Sequence, residues 1–147
     1  MKPLARTSFL LAALGSFAVS MTHIWVIFAG PTAYASLGAP FDVVASAEAG
    51  TWYAPTITAL IAMIIFGWVL YALSAAGHLP RLPLLRTGLI AIATVLILRG
   101  LIVLLIAIFI PVQLTSFVVW SSLLCLVLGA LYGVGIIFGW TKLGPQT

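Results

Sequence analysis

Arg99 is the residue whose chemistry most needs an explanation. It stands a little past the middle of a long apolar run, Leu84 to Ile110. A guanidinium in hydrocarbon costs roughly 2.5 kcal/mol or more on insertion scales, so a compensating partner is expected. The chain holds only two carboxylates, Asp42 and Glu48, and both fall in the same connecting segment. One reading folds that segment back so that Asp42 or Glu48 pairs with Arg99. A second gives Arg99 the anionic or polar head of a ligand. A third leaves it to backbone carbonyls, water or the nearest interface.

His23 is the other ionisable residue inside an apolar run. Ser16, Ser20 and His23 recur at spacings of four and three and so share one helical face, which Ala12 extends. A small, polar stripe belongs toward other helices, because lipid offers no hydrogen bonds. It reads either as a polar pocket in which His23 accepts a proton beside Arg99, or as a histidine bonding a neighbouring helix. Trp68 and Tyr71 lie in another apolar run and want polar partners, lining a cavity or packing as aromatics. The expected ligand-binding set is therefore Arg99, His23, Ser20, Trp68 and Tyr71, with Asp42 and Glu48 as charge partners of Arg99. No catalytic residue is assigned, and the balance leans away from an enzyme. No HExxH pair, nucleophile elbow, phosphate loop or paired carboxylate occurs. Cys125 is the single cysteine and reads as a small buried hydrophobe. No metal site is expected, and the sequence names no cofactor.

The elements that must position these residues follow from composition. Hydrophobic residues make up 64% of the 147, and charged residues only 5%. A soluble domain carries about 25% charged residues, so the solvent for most of this surface is lipid. The formal charge of +4 arises from scarce acids, without a basic cluster, which argues against nucleic acid as a partner. Four runs are long enough to span, at about 8–28, 54–76, 84–110 and 114–140. Gly30-Pro31, Gly38-Ala39-Pro40, Gly50, Gly77, Pro80, Pro83, Pro111 and Pro145 punctuate them. The first run, behind Lys2 and Arg6, could begin a signal peptide, but it continues to Phe28 and reads as a retained helix.

With the N-terminus inside, Lys2, Arg6, Arg81, Arg86 and Lys142 are all inside, and no Lys or Arg lies in an outer loop. The expectation is an all-α, four-helix transmembrane bundle over residues 1–147, N-in and C-in, with a long first outer loop from Ala29 to Tyr53. That loop is apolar enough to cap the bundle or rest on the bilayer, with a short helix at Phe41 to Glu48. Gly129-x-x-x-Gly133 and Gly135-x-x-x-Gly139 allow close helix approach, within the bundle or in a homodimer.

The segments His23-x-Trp25-x-x-Phe28-x-Gly30-Pro31, Phe66-Gly67-Trp68-Val69-Leu70-Tyr71 and Leu98-Arg99-Gly100-Leu101 resemble those of small four-helix inner-membrane proteins of bacteria. The resemblance implies no activity. It implies that His23, Gly30, Pro31, Trp68, Tyr71 and Arg99 belong to one arrangement. The leading expectation is a multi-pass bacterial inner-membrane binding or accessory protein. It would hold a lipid, quinone or other amphipathic molecule in an outward-facing pocket around Arg99 and His23. Alternatives are an enzyme acting on a lipid-soluble substrate with His23 as acid/base, and a structural subunit of a larger membrane complex or homo-oligomer. A transporter or channel ranks below these, because no span carries the carboxylate of a proton relay.

Overall fold

A computed structural model describes residues 2–109 and 116–144. Every regular element among them is an α-helix: α1 Pro3–Ala29, α2 Pro31–Ser36, α3 Phe41–Glu48, α4 Tyr53–Ala75, α5 Leu85–Phe109 and α6 Ser116–Leu143. In α1, α4, α5 and α6 the runs of Leu, Ala, Ile and Val leave the backbone no water to bond, and only a helix satisfies each N–H and C=O internally. These four helices are long and apolar enough to cross a membrane.

The helices keep the order and approximate bounds expected from the sequence, with informative differences at their ends. α1 starts at Pro3 rather than near Ser8, because proline at the first helical position lacks a donor that would be unpaired there anyway. Gly30 ends α1 with a φ of 83°, and Pro31 then opens α2, a short helix where the sequence suggested only a break. α3 covers the Phe41–Glu48 stretch. The expected turn at Pro111, the end of the third run at Ile110, the start of the fourth at Leu114, and Pro145 lie outside the described residues.

α1 is the hub of the bundle. It packs along α4 on one side and α6 on another, while α5 packs chiefly on α6 and meets α4 more lightly. The main core gathers Phe9, Ala12 and Ala13 of α1, Val69 and Ala72 of α4, Leu89 and Leu96 of α5, and Leu128, Tyr132 and Ile136 of α6. A second core, of Val26, Ala33, Tyr34, Val43 and Ala54, fastens α2 and α3 across the tops of α1 and α4. Large apolar side chains such as Leu14, Phe28, Ile64, Ile102 and Ile137 stay exposed, as a lipid-facing surface requires.

Close helix approach rests on glycine at particular places. A Cβ at Gly129 would lie 2.7 Å from Ile97 Cγ1 of α5, and one at Gly135 would lie 2.6 Å from the buried Phe9 ring of α1. Gly139 is also buried, whereas a Cβ at Gly133 would meet nothing within 4 Å. The two glycine pairs therefore serve contacts within the chain at Gly129 and Gly135, and leave an open notch at Gly133.

The two ends of the bundle differ in charge. Lys2, Arg6, the α4–α5 turn with Arg81 and Arg86, and Lys142 meet at one end: Lys2 Nζ lies 5.6 Å from the Phe138 ring centre, and Arg86 reaches Trp140. Asp42 and Glu48 sit on α3 at the other end.

Candidate functional site

The polar stripe of α1 turns into the bundle, as small polar groups must in lipid. Ser16 and Ser20 are buried. The Ser20 hydroxyl donates to the Ala62 carbonyl of α4 at 2.9 Å. The Ser16 hydroxyl lies 3.2 Å from that of Tyr132, which donates to the Trp68 carbonyl at 3.0 Å. One fully buried phenol thus ties α6 to α1 and α4. Tyr132 was not singled out from the sequence. The available signal was a phenol in a span flanked by Gly129, Gly133 and Gly135, where only another helix could partner its hydroxyl.

His23 is half-buried, and its Nδ1–H donates to the Val19 carbonyl one turn back at 2.8 Å. The Trp68 and Tyr71 side chains pack against the main core. The Tyr71 hydroxyl donates to the Pro83 carbonyl at 3.2 Å, and its ring covers Gly88. Ser74 beside them accepts from the Leu82 N–H and donates to the Pro80 carbonyl, so α4 holds the turn into α5.

Arg99 stands apart from this network. It is exposed on α5, between the exposed Leu98 and Leu101–Ile102, and its Nη1 donates to Cys125 Sγ of α6 at 3.4 Å. A thiol is a weak acceptor, so this bond does little for a cation. Asp42 instead accepts from the Tyr53 hydroxyl at 3.1 Å, and Glu48 caps no cation among the described residues. Asp42 and Glu48 belong to the α2–α3 cap, which packs on α4, while Arg99 belongs to the α5–α6 pair. The structure does not bring either acid to Arg99. Nor does it gather Arg99, His23, Ser20, Trp68 and Tyr71 into one pocket: Ser20, Trp68 and Tyr71 are engaged in holding helices together, and His23 sits on α1, whose main neighbours are α4 and α6. Cys125, read as a buried hydrophobe, is half-buried and is the protein contact of Arg99. Spacing could not reveal that pairing, since the two residues lie on different helices.

At the acidic end the cap leaves a cleft of about 260 Å³, lined mainly by Ile27, Pro31, Tyr34, Trp52 and Pro55. Tyr34 is buried, and its hydroxyl has no hydrogen-bond partner among the described residues. A second cleft, of about 320 Å³, opens at the cationic end between Lys2, Phe138, Thr141 and Lys142. No group of three or more His, Cys, Asp or Glu side chains forms among the described residues. Comparison with known proteins yields no matching family model, no matching curated protein and no matching solved structure.

Proposed function

We propose that this chain is a binding or accessory protein of a bacterial inner membrane, in which Arg99 holds the anionic head of an amphipathic molecule from the lipid side of α5. The proposed orientation puts Lys2, the α4–α5 turn and Lys142 in the cytoplasm, and the α2–α3 cap outside. The observation that carries the reading is the exposed guanidinium of Arg99, with a thiol as its protein contact and apolar side chains around it.

Magnitude selects Arg99 over the other candidates. An orphaned hydroxyl such as that of Tyr34 costs about 1–3 kcal/mol. A guanidinium within a span costs at least as much on the mildest scale and several times more on others. Arg99 lies seven residues before Ile106, the end of the α5 span, and so roughly 10 Å below it at 1.5 Å per residue. A flexible side chain reaches part of that distance, and a lipid head drawn inward covers the rest. Arginine has donors only, in a planar fork that fits a carboxylate or phosphate better than a neutral quinone carbonyl. The ligand class is therefore an anionic lipid or lipid-soluble acid, with its chain along Leu98, Leu101 and Ile102.

The test is native mass spectrometry of gently extracted protein with identification of bound small molecules. The expected result is that Arg99→Leu binds one anionic molecule fewer than wild type, and that Arg99→Lys holds that molecule more weakly. An unchanged number of bound anionic molecules in Arg99→Leu would overturn the reading. One observation favours a second reading, a subunit of a larger complex: the chain's own carboxylates are both on the cap, so a partner subunit's carboxylate could neutralise Arg99 instead. A higher-mass assembly that dissociates in Arg99→Leu, with no small-molecule adduct, would support it.

A further inference from the structure

We infer that the cleft between the start of α1 and the end of α6, lined by Lys2, Phe138, Thr141 and Lys142, binds the phosphate of an anionic phospholipid headgroup. The inference is independent of Arg99, which lies on another helix in the opposite half of the bundle.

The argument begins with how the cations at this end are used. Arg81 donates to the carbonyls of Lys142, Leu143 and Gly144, closing the end of α6. Arg86 donates to the Trp140 carbonyl at 2.8 Å and stacks on its ring, 3.9 Å from the centre. Arg6 meets His78 Nε2 at 3.4 Å. All three arginines are thus engaged by the protein. Lys2 and Lys142 are exposed and line the cleft; Lys2 leans toward Phe138, and neither ammonium has a carboxylate partner among the described residues. Both acids of the chain are on α3, at the far end of helices of more than twenty residues. Among the described residues no carboxylate serves these two ammoniums, which leaves them open to an anion from outside.

The cleft suits a phosphate held in a membrane. Lys2, which lines the cleft, is the residue that opens α1, and the positive end of that helix favours a nearby anion. The opposing negative end of α6 is covered by Arg81. Thr141 supplies a hydroxyl, and the part-exposed Phe138 ring supplies an apolar wall for a glycerol backbone or acyl chain. The cleft, of about 320 Å³, is open at the surface of the bundle, where a headgroup can reach it from the membrane interface. Lysine stems lie along apolar surface while their heads reach the headgroup plane. The apolar wall and the membrane setting point to a lipid-borne phosphate rather than to free phosphate.

The experiment uses the intact protein in neutral detergent, with equimolar phosphatidylglycerol and phosphatidylcholine, read by native mass spectrometry. Wild type is expected to retain phosphatidylglycerol preferentially. Each Lys→Gln change, at Lys2 or Lys142, is expected to weaken that preference roughly fivefold, the effect of one surface-proximal basic charge, and the double change to erase it. Lys2→Arg with Lys142→Arg is expected to keep it. The preference should also survive Arg99→Leu, which separates this site from the proposed one at Arg99. Unchanged preference in the double Gln variant would overturn the inference, as would its loss in Arg99→Leu alone. Full displacement of the lipid by millimolar inorganic phosphate would also overturn it, assigning the cleft to a soluble anion.

Discussion

At the residue scale, the interior polar groups divide into those that hold the fold and those left open. Tyr132 belongs to the first kind, because its hydroxyl meets Ser16 and the Trp68 carbonyl inside the bundle. Tyr132→Phe removes both bonds and leaves the partners buried, so it is expected to destabilise the protein by about 1–3 kcal/mol. A thermal melt or graded denaturation in detergent measures the loss. Tyr34 is the contrasting case, buried with a hydroxyl that has no partner among the described residues. Tyr34→Phe deletes an unpaired donor without changing the ring, and the same melt is expected to show equal or slightly greater stability. A fall of more than about 1 kcal/mol would mean that Tyr34 has a partner in the membrane-bound protein. Arg99→Leu should also keep or raise stability, since it replaces an exposed cation with a side chain that lipid solvates; a large loss would mark Arg99 as a structural anchor. The Ser16–Ser20 stripe and the isolation of Arg99 as a cation within a span were readable as residue types, but their partners were not.

At the scale of elements, glycine decides where helices meet. Gly129 faces Ile97 and Gly135 faces Phe9, both too close for an added Cβ without rearrangement. Gly135 is the more demanding, because the Phe9 ring is fully buried and has nowhere to move. Gly135→Val is expected to cost about 1–3 kcal/mol by overpacking α1 against α6. Gly133→Ala meets open space and gains helix propensity, so it should be neutral or mildly stabilising. Comparing the two variants in one unfolding assay separates intramolecular packing from a dimer contact. If Gly133→Ala disrupts a native oligomer while leaving the monomer stable, the open notch on α6 is a contact between chains. The motif spacing was visible in the sequence, and the division of labour among its four glycines was not. Spacing places residues on a face of one helix but does not say which helix lies opposite.

At the scale of the whole molecule, charge separates the two ends, with five of the six Lys and Arg residues around the start of α1, the α4–α5 turn and the end of α6, and both acids on α3. The expected orientation puts the cationic end in the cytoplasm. In intact bacterial cells carrying a Cys125→Ser background, Glu48→Cys should react with a membrane-impermeant thiol reagent and His78→Cys should react only after lysis. The reverse pattern would invert the topology and move the Arg99 site toward the cytoplasmic leaflet.

The four long helices, the short helix at Phe41–Glu48 and the gathering of cations apart from acids all follow from local sequence, because hydrophobic length, helix breakers and charge are properties of contiguous segments. Which residues form a site depends on contacts between helices. Ser20 turned to Ala62, Tyr71 to Pro83 and Asp42 to Tyr53, while Arg99 was left with Cys125. Those pairings arise from the rotation and neighbour order of packed helices, set by the fit of Phe9, Gly129, Gly135 and Tyr132 across three-dimensional interfaces. Only the tertiary structure could decide them, since a one-dimensional pattern specifies a helix face without specifying what that face meets.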